Sequence, residues 1–386
     1  MPSSLTYTVV DPFDEDEFPD VPPAPAALLA ALRTVPDPRD RRGRRHGLVG
    51  ILALAACAVI AGARSFVAIA QWSTSMTPAA AACIGVTGEL PSESTIRRTL
   101  NRVDGNGLDD IIGAWAALRP TDPKQMVAIA VDGKTVRGSA SGGDRGRHLL
   151  AALDHASGIV LGQRDVDHTT NEITVFATLL DQIDLLGKLV TADALHTQTA
   201  HAKYLVEDRG AHYLLTVKRN QPTLHAQLAA LPWREVPVAD TRNDKAHGRI
   251  EQRTLKVVTV AAGIGFPHAA QAIQVTRKVR KRRSRKWRTE IVYAVTDLPA
   301  EQARPHQLAT WLRGHWCIEN RLHWVRDVTL GEDLSQIRTG NGPQVMACLR
   351  NLAISLHRLA GVTNIAHAIR HHAADYTRPL TLLLTS

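Results

Sequence analysis

The chain has 386 residues, 44% of them hydrophobic, which is enough to bury two or three cores of ordinary domain size and excludes a single small module. Its formal net charge of +9 persists despite an acidic start (Asp11, Asp14, Glu15, Asp16, Glu17, Asp20), so the remainder is more basic than the total and favours a polyanionic partner. The four cysteines (Cys57, Cys83, Cys317, Cys348) are scattered without a CxxC, which points to a reducing compartment and away from a disulfide framework.

Residues 1–25 run from acid into proline (Pro19, Pro22, Pro23, Pro25) and are expected to form a mobile tail. Residues 26–118 read as a small all-helical domain: AALLAALRTV, the basic joint DPRDRRGRRH, the apolar run Gly47 to Ala63, and FVAIAQWS. The apolar run is short for a membrane span and stands alone in a basic chain, so it is read as a buried helix. A helix over Thr77–Gly85, the turn TGELP and a serine-capped helix over Ser94–Val103 could form a helix-turn-helix. Arg97, Arg98, Asn101 and Arg102 would then face either phosphates and base edges or solvent.

At Met126 the texture changes to strands. MVAIAVD is an apolar run ending in an acid, the pattern of a buried strand emerging at a sheet edge. HLLAALDH and SGIVLGQRDV predict an antiparallel meander, NEITVFATLLDQID a helix, and KLVTADA another strand ending in an acid. This β-β-β-α-β order opens a ribonuclease H-like fold, giving an α/β domain over 124–386. From 212 to about 298 the pattern predicts strands, a β-rich insertion. The basic run 277–288 falls between two of them and is placed at a hairpin tip, where Arg280, Lys281, Arg282, Arg283, Arg285, Lys286 and Trp287 are candidates to touch nucleic acid. Helices over Gln302–Val328 and Gln344–Ala360 and a C-terminal piece close the chain.

Asp132 in AVDGKT and Asp193 in TADALH both end apolar strands. A carboxylate desolvated on one side calls for a cation or hydrogen-bond donors, and a hard divalent metal supplies one. Glu319, in RGHWCIENRLHWVRD, shares a predicted helix face with His315, His323 and Arg326 at i, i+4 and i+7 spacings, while Trp311, Trp316 and Trp324 suggest a helix packed against something. Three carboxylates meeting from two strands and a helix suit phosphoryl transfer by two metal ions about 3.5–4 Å apart. Lys134, Arg137, Arg313, His315 and Arg326 are the cations expected to position a strand of nucleic acid. Glu172, Asp327, Glu332 and Asp333 are nearby acids that could orient the ligands, and His168, His196 and His201 lack the partners of a zinc site.

With these residues in hand, the sequence resembles the DDE transposases of bacterial insertion sequences, in the branch that includes the H-repeat-associated proteins. The matching segments are VDGKTVRGS (131–139), TNEITVFATLLDQIDLLGKLVTADALHTQ (170–198), YLLTVKRNQP (213–222), HGRIEQR (247–253) and LRGHWCIENRLHWVRDVTLGEDLSQIRTGNGP (312–343), with PDPRDRRGRRH (36–46) similar to the branch's N-terminal domain. The resemblance implies that Asp132, Asp193 and Glu319 form the acid triad, binding two Mg²⁺ ions (Mn²⁺ being an alternative) in a ribonuclease H-like fold. It also implies DNA as partner and substrate, assembly as a homo-oligomer on DNA, and a cytoplasmic, nucleoid-associated location. The Tyr, Arg, Glu, Lys signature of related transposases is altered: Arg313 and Glu319 do not keep its spacing, Trp316 intrudes, and Arg326 stands where a lysine is common. A DNA-binding protein without catalysis, or a nuclease without strand joining, are the competing expectations.

Overall fold

A computed structural model describes residues 27–42, 44–119, 125–140, 145–166, 170–246, 248–260, 264–282 and 284–386. The acidic tail, His168 and Arg283 lie outside the described residues.

Six helices come first: α1 (Ala27–Arg33), α2 (Leu48–Ile60), α3 (Phe66–Ser73), α4 (Pro78–Cys83), α5 (Glu93–Leu100) and α6 (Gly105–Ala117). The apolar run expected as a buried helix is α2, whose residues are apolar or glycine all round and almost all buried. A helix without a polar face needs neighbours on every side. Here α1, α3, α5 and two C-terminal helices, α11 (Gly342–Leu359) and α13 (Thr377–Leu384), supply them. Among the described residues no helix is long and apolar enough to cross a membrane.

The cap of α5 is Ser92, whose Oγ accepts from the Thr95 amide, two residues before the Ser94 start expected from sequence. Arg97 is paired with Glu93, and Asn101 faces inward, its carbonyl accepting from the Asn341 amide.

Among the described residues the strands form one nine-stranded sheet in the order β3-β2-β1-β4-β5-β9-β8-β7-β6. The strands are β1 (Ala128–Thr135), β2 (His148–Asp154), β3 (Val160–Val166), β4 (Leu189–Ala192), β5 (His212–Val217), β6 (Asp240–Ala246), β7 (Arg249–Thr259), β8 (Gln271–Lys281) and β9 (Arg288–Thr296). β1, β4 and β5 are mutually parallel; the other pairings are antiparallel. The chain is thus a mixed α/β protein with a large sheet and helices at its N-terminus.

The segment expected as a β-rich insertion is continuous with this sheet. β5 joins β4 at the centre, and β9 returns antiparallel to β5, carrying β8, β7 and β6 outwards. Within it lies a helix that the strand pattern did not predict, α9 (Pro222–Ala229), begun by proline at its first position, where a missing N–H costs nothing.

Side-chain alternation assigns the two sheet faces. Ile129 and Val131 of β1 pack with Phe176, Leu179 and Leu180 of α7 (Glu172–Leu180), whereas Ala130 packs with Ile318, Leu322 and Val325 on the other face. By the same parity Asp132 projects towards the 318–325 segment and Gly133 towards α7. On β4, Val190 and Ala192 join the α7 side while Leu189 takes the other, which carries Thr191 and Asp193 to the face of Asp132.

The stretch expected as one helix over 302–328 is divided. α10 (Pro305–Gly314) ends ahead of two segments, Glu319–His323 and Val325–Thr329, wound as π-helix, with the Trp324 amide bonded to the Glu319 carbonyl five residues back. Such widened turns recur at functional sites.

Candidate active site

β1 extends beyond the acid that was expected to end it: Asp132 lies inside the strand and pairs with Ala151 of β2. On the opposite flank β4 stops at Ala192, which registers with Val131, so Asp193 follows directly beside Asp132 on a parallel neighbour. Adjacent strands lie roughly 4.8 Å apart, so this register sets the two residues on neighbouring strands towards one side of the sheet, while Asp193 stays outside the group of donor atoms that converges around Asp132. Asp193 also caps the short turn Ala194–His196, Oδ1 accepting from the Leu195 amide at 2.8 Å.

Over that face the π-wound turn brings Glu319 and His323. One donor atom each from Asp132, Glu319 and His323 lie within 4.8 Å of one another, a set able to hold a metal ion. His323 Nε2 is 3.4 Å from Asp132 Oδ2, and the ring is 3% exposed. Glu319 is exposed and Asp132 partly so, leaving the centre open to solvent on one side.

His315 is also here. Its Nδ1 is 3.2 Å from the Thr191 hydroxyl, which also meets His155 Nε2 at 2.9 Å. Burial lowers the His315 pKa against the pull of Asp132 and Asp193, and burial together with His315 and Arg321 takes His155 down to about 3. Both shifts favour the uncharged ring, and in this structure His315 acts as a hydrogen-bonding partner of Thr191.

On the α7 side, the Glu172 carboxylate accepts from His148 Nε2 at 2.7 Å and His196 Nε2 at 3.1 Å. Burial alone would raise its pKa, but these two bonds outweigh burial and bring it down to about 2. The carboxylate fills the space under Gly133, where an added Cβ would lie 2.4 Å from it. Glu172 thereby ties β2 to the turn that follows Asp193, and packs beneath Gly133 of the strand carrying Asp132.

The expected cations are dispersed. Lys134 Nζ is 2.5 Å from Asp327 and 3.9 Å from Asp333, so its charge is spent on acids. Arg137 lies 3.7 Å from Asp333 but is 79% exposed and open to solvent. Arg313 is ion-paired with Asp244 of β6. Arg326, expected on the face of Glu319, is wholly buried against Glu332 and Gln163, because π winding and the packing of α11 turn it inward.

The hairpin expected at 277–288 exists between β8 and β9. Arg277 is held by Glu251 at 2.8 Å, and Arg280 lies over the Trp287 ring at 5.1 Å. Lys281, Arg282, Arg285, Lys286 and Trp287 are exposed at its tip.

Sequence reasoning missed Thr191, His155 and the clamp on Glu172. Strand parity would have placed Thr191 beside Asp193, and the β1–β2 register sets His148 opposite Thr135, two residues beyond Gly133.

Fold and site together define an α/β protein with Asp132 inside one central strand, Asp193 just after its parallel neighbour and Glu319 on a π-wound turn over the sheet. Residues 123–356 match the family described as "Transposase DDE domain" and residues 29–116 the one described as "DDE_Tnp_1-associated"; the chain belongs to the DDE transposase family. It is 31% identical over 323 residues to "Putative transposase YncI" of Escherichia coli O157:H7, covering 78% of this chain and 80% of that one. It is 29% identical over 320 residues to "H repeat-associated putative transposase YhhI" of Escherichia coli K12, covering 78% and 82%. A solved structure of the piggyBac transposase synaptic complex with hairpin DNA matches with a TM-score of 0.44 and 12% identity, over 92% of this chain and 78% of that chain.

Proposed function

We propose that this transposase cleaves the ends of an insertion sequence and joins the freed 3′-hydroxyls to target DNA, with Asp132, Asp193 and Glu319 as its acid triad. The observation that supports this reading is the convergence of donor atoms from Asp132, Glu319 and His323, with Asp193 following β4 on the parallel strand next to that of Asp132. Strands β1 to β5, in the order 3-2-1-4-5, would be its ribonuclease H-like core.

The donor set fits a divalent cation: two carboxylates and an imidazole converge at a half-open centre. Bound there, Mg²⁺ or Mn²⁺ would supply activation of the attacking oxygen and stabilisation of the leaving one. The chain's own residues do the positioning. Glu172 and His315, through their hydrogen bonds, would hold the elements that present the acids, and Arg137 with the β8–β9 tip would meet DNA phosphates. Because two element ends must meet, the working form is an oligomer on DNA.

The test is a labelled element end incubated with the protein and Mg²⁺. Cleavage followed by joining is expected, and Asp132→Ala, Asp193→Ala and Glu319→Ala should each abolish cleavage while still binding DNA. Cleavage without joining would reduce the protein to a nuclease; binding alone would remove the catalytic reading.

A further inference from the structure

His323 has no role in the acid triad, yet its setting is unusual. The ring is buried, and neither nitrogen has a hydrogen-bond partner. Buried polar groups are as a rule satisfied, so an orphaned ring marks a missing partner. One nitrogen, Nε2, faces Asp132 Oδ2 at 3.4 Å, longer than a good N–H···O bond. A donor atom of Glu319 completes a cluster narrow enough for one ion to touch all three residues.

We infer that His323 is a nitrogen ligand of the cation held by Asp132 and Glu319, making this centre a mixed carboxylate–imidazole site that prefers Mn²⁺ over Mg²⁺. The inference rests on the proposed metal-dependent function and adds a ligand to it. The chemistry follows from donor type. Carboxylate oxygens suit both Mg²⁺ and Mn²⁺, whereas an imidazole nitrogen suits first-row transition ions, to which Mn²⁺ belongs and Mg²⁺ does not. The π-wound turn provides the means: Glu319 and His323, at its two ends, both reach back to the same strand. Leu322 and Val325, close to His323 in the chain, are buried with Ala130 of the same strand, which anchors the turn over the sheet.

The experiment uses the full chain and Mn²⁺ alone. Pulsed electron paramagnetic resonance of bound Mn²⁺ should show coupling to a directly ligated histidine nitrogen, changed in the expected way by ¹⁵N-histidine labelling and lost in His323→Asn. Removal of a partner behind a ligand already weakens metal binding about 10- to 100-fold, so loss of the ligand itself should weaken Mn²⁺ by at least about tenfold and Mg²⁺ by less. Mn²⁺ bound by the wild type, displaced in Asp132→Asn, but without nitrogen coupling would overturn the inference and leave the proposed function standing. Coupling that survives in His323→Asn would assign the nitrogen to another histidine and overturn it too. Absence of any Mn²⁺ or Mg²⁺ binding would remove both. Because the spectrum is read first on the wild type, a variant that fails to fold does not protect the idea.

Discussion

Arg326 and Glu332 form a two-pronged ion pair in the interior, with Nη2 2.7 Å and Nε 3.0 Å from Oε1 and both side chains 0% exposed. Arg350 of α11 reaches the other oxygen at 3.1 Å, and Gln163 of β3 accepts from Arg326 Nη1 at 2.7 Å. Burial pushes the Glu332 carboxyl up, but the two guanidinium charges outweigh it and hold the pKa below its usual value. The carboxylate therefore joins the π-wound segment to α11, and Arg326 carries the link on to the sheet.

Glu332→Gln keeps the shape and removes the charge, leaving two buried guanidiniums uncompensated. Breaking a buried pair in this way costs about 3–5 kcal/mol. Urea unfolding should show a loss of that order; a loss within about 0.5 kcal/mol, the size of an ordinary surface substitution, would mean the network is idle.

Gly133 and Glu172 compete for one space. An alanine at 133 would drive its Cβ into the carboxylate, which His148 and His196 pin in place. Gly133→Ala is expected to destabilise by about 1–3 kcal/mol, as overpacking does. In a Glu172→Ala background the space is vacant and most of that cost should vanish, giving a coupling of about 0.5–3 kcal/mol in a double-mutant cycle. Additive effects would show that the clamp does not bear on β1.

Asp109 of α6 is buried, with Oδ2 accepting from Cys348 Sγ at 2.8 Å and Gln163 Nε2 at 3.1 Å. Burial, only partly offset by these bonds, raises its pKa to about 7 from 3.8. Because the folded value is the higher one, the contribution to stability is full below pH 3.8 and is lost as pH rises to about 7. In that window the unfolded chain has released the proton and the folded chain still holds it. Asp109→Asn should remove this decline, so that the difference in unfolding free energy from wild type grows in the variant's favour between those values. Parallel stability curves for the two proteins across the window would show that Asp109 is ionised in the fold. Glu172 acts oppositely and lower, its stabilisation being lost as pH falls from 4.5 towards 2, so the two effects separate.

The strands bearing Asp132 and Asp193 were legible as apolar runs because both sheet faces are covered, but the acid marks a strand end only after β4, since β1 continues to Thr135. The π winding was not, since over some ten residues an i+4 repeat fits a turn of either width. That ambiguity misdirected Arg326: its partner Glu332 lies in the next turn, and the packing that seals them comes from α11 and β3, remote in sequence. Asn101 went the same way, its inward role set by the loop at 340–342. α9 was readable from Pro222 at a helix start, but the apolar strands on either side masked it. Partners distant in the chain, more than local propensity, account for what sequence did not show.

The hairpin offers the sharpest division among the cations. Arg277 is ion-paired with Glu251 across the β7–β8 ladder and lies 3.7 Å from Glu290 of β9, so its charge is already matched within the sheet. Arg282, Arg285 and Lys286 are exposed at the tip, next to the Trp287 ring that Arg280 covers. If the tip meets DNA, each phosphate contact it makes contributes about 0.9 to the slope of log affinity against log salt. The triple variant Arg282→Ala, Arg285→Ala, Lys286→Ala should therefore flatten that slope by about 2–3, whereas Arg277→Gln should change it by less than about 1. Fluorescence anisotropy of a labelled duplex, titrated at several salt concentrations, reads both. Equal slopes for wild type and triple variant would return the tip to solvent, and a larger effect from Arg277→Gln would place the contact on the open face of the sheet.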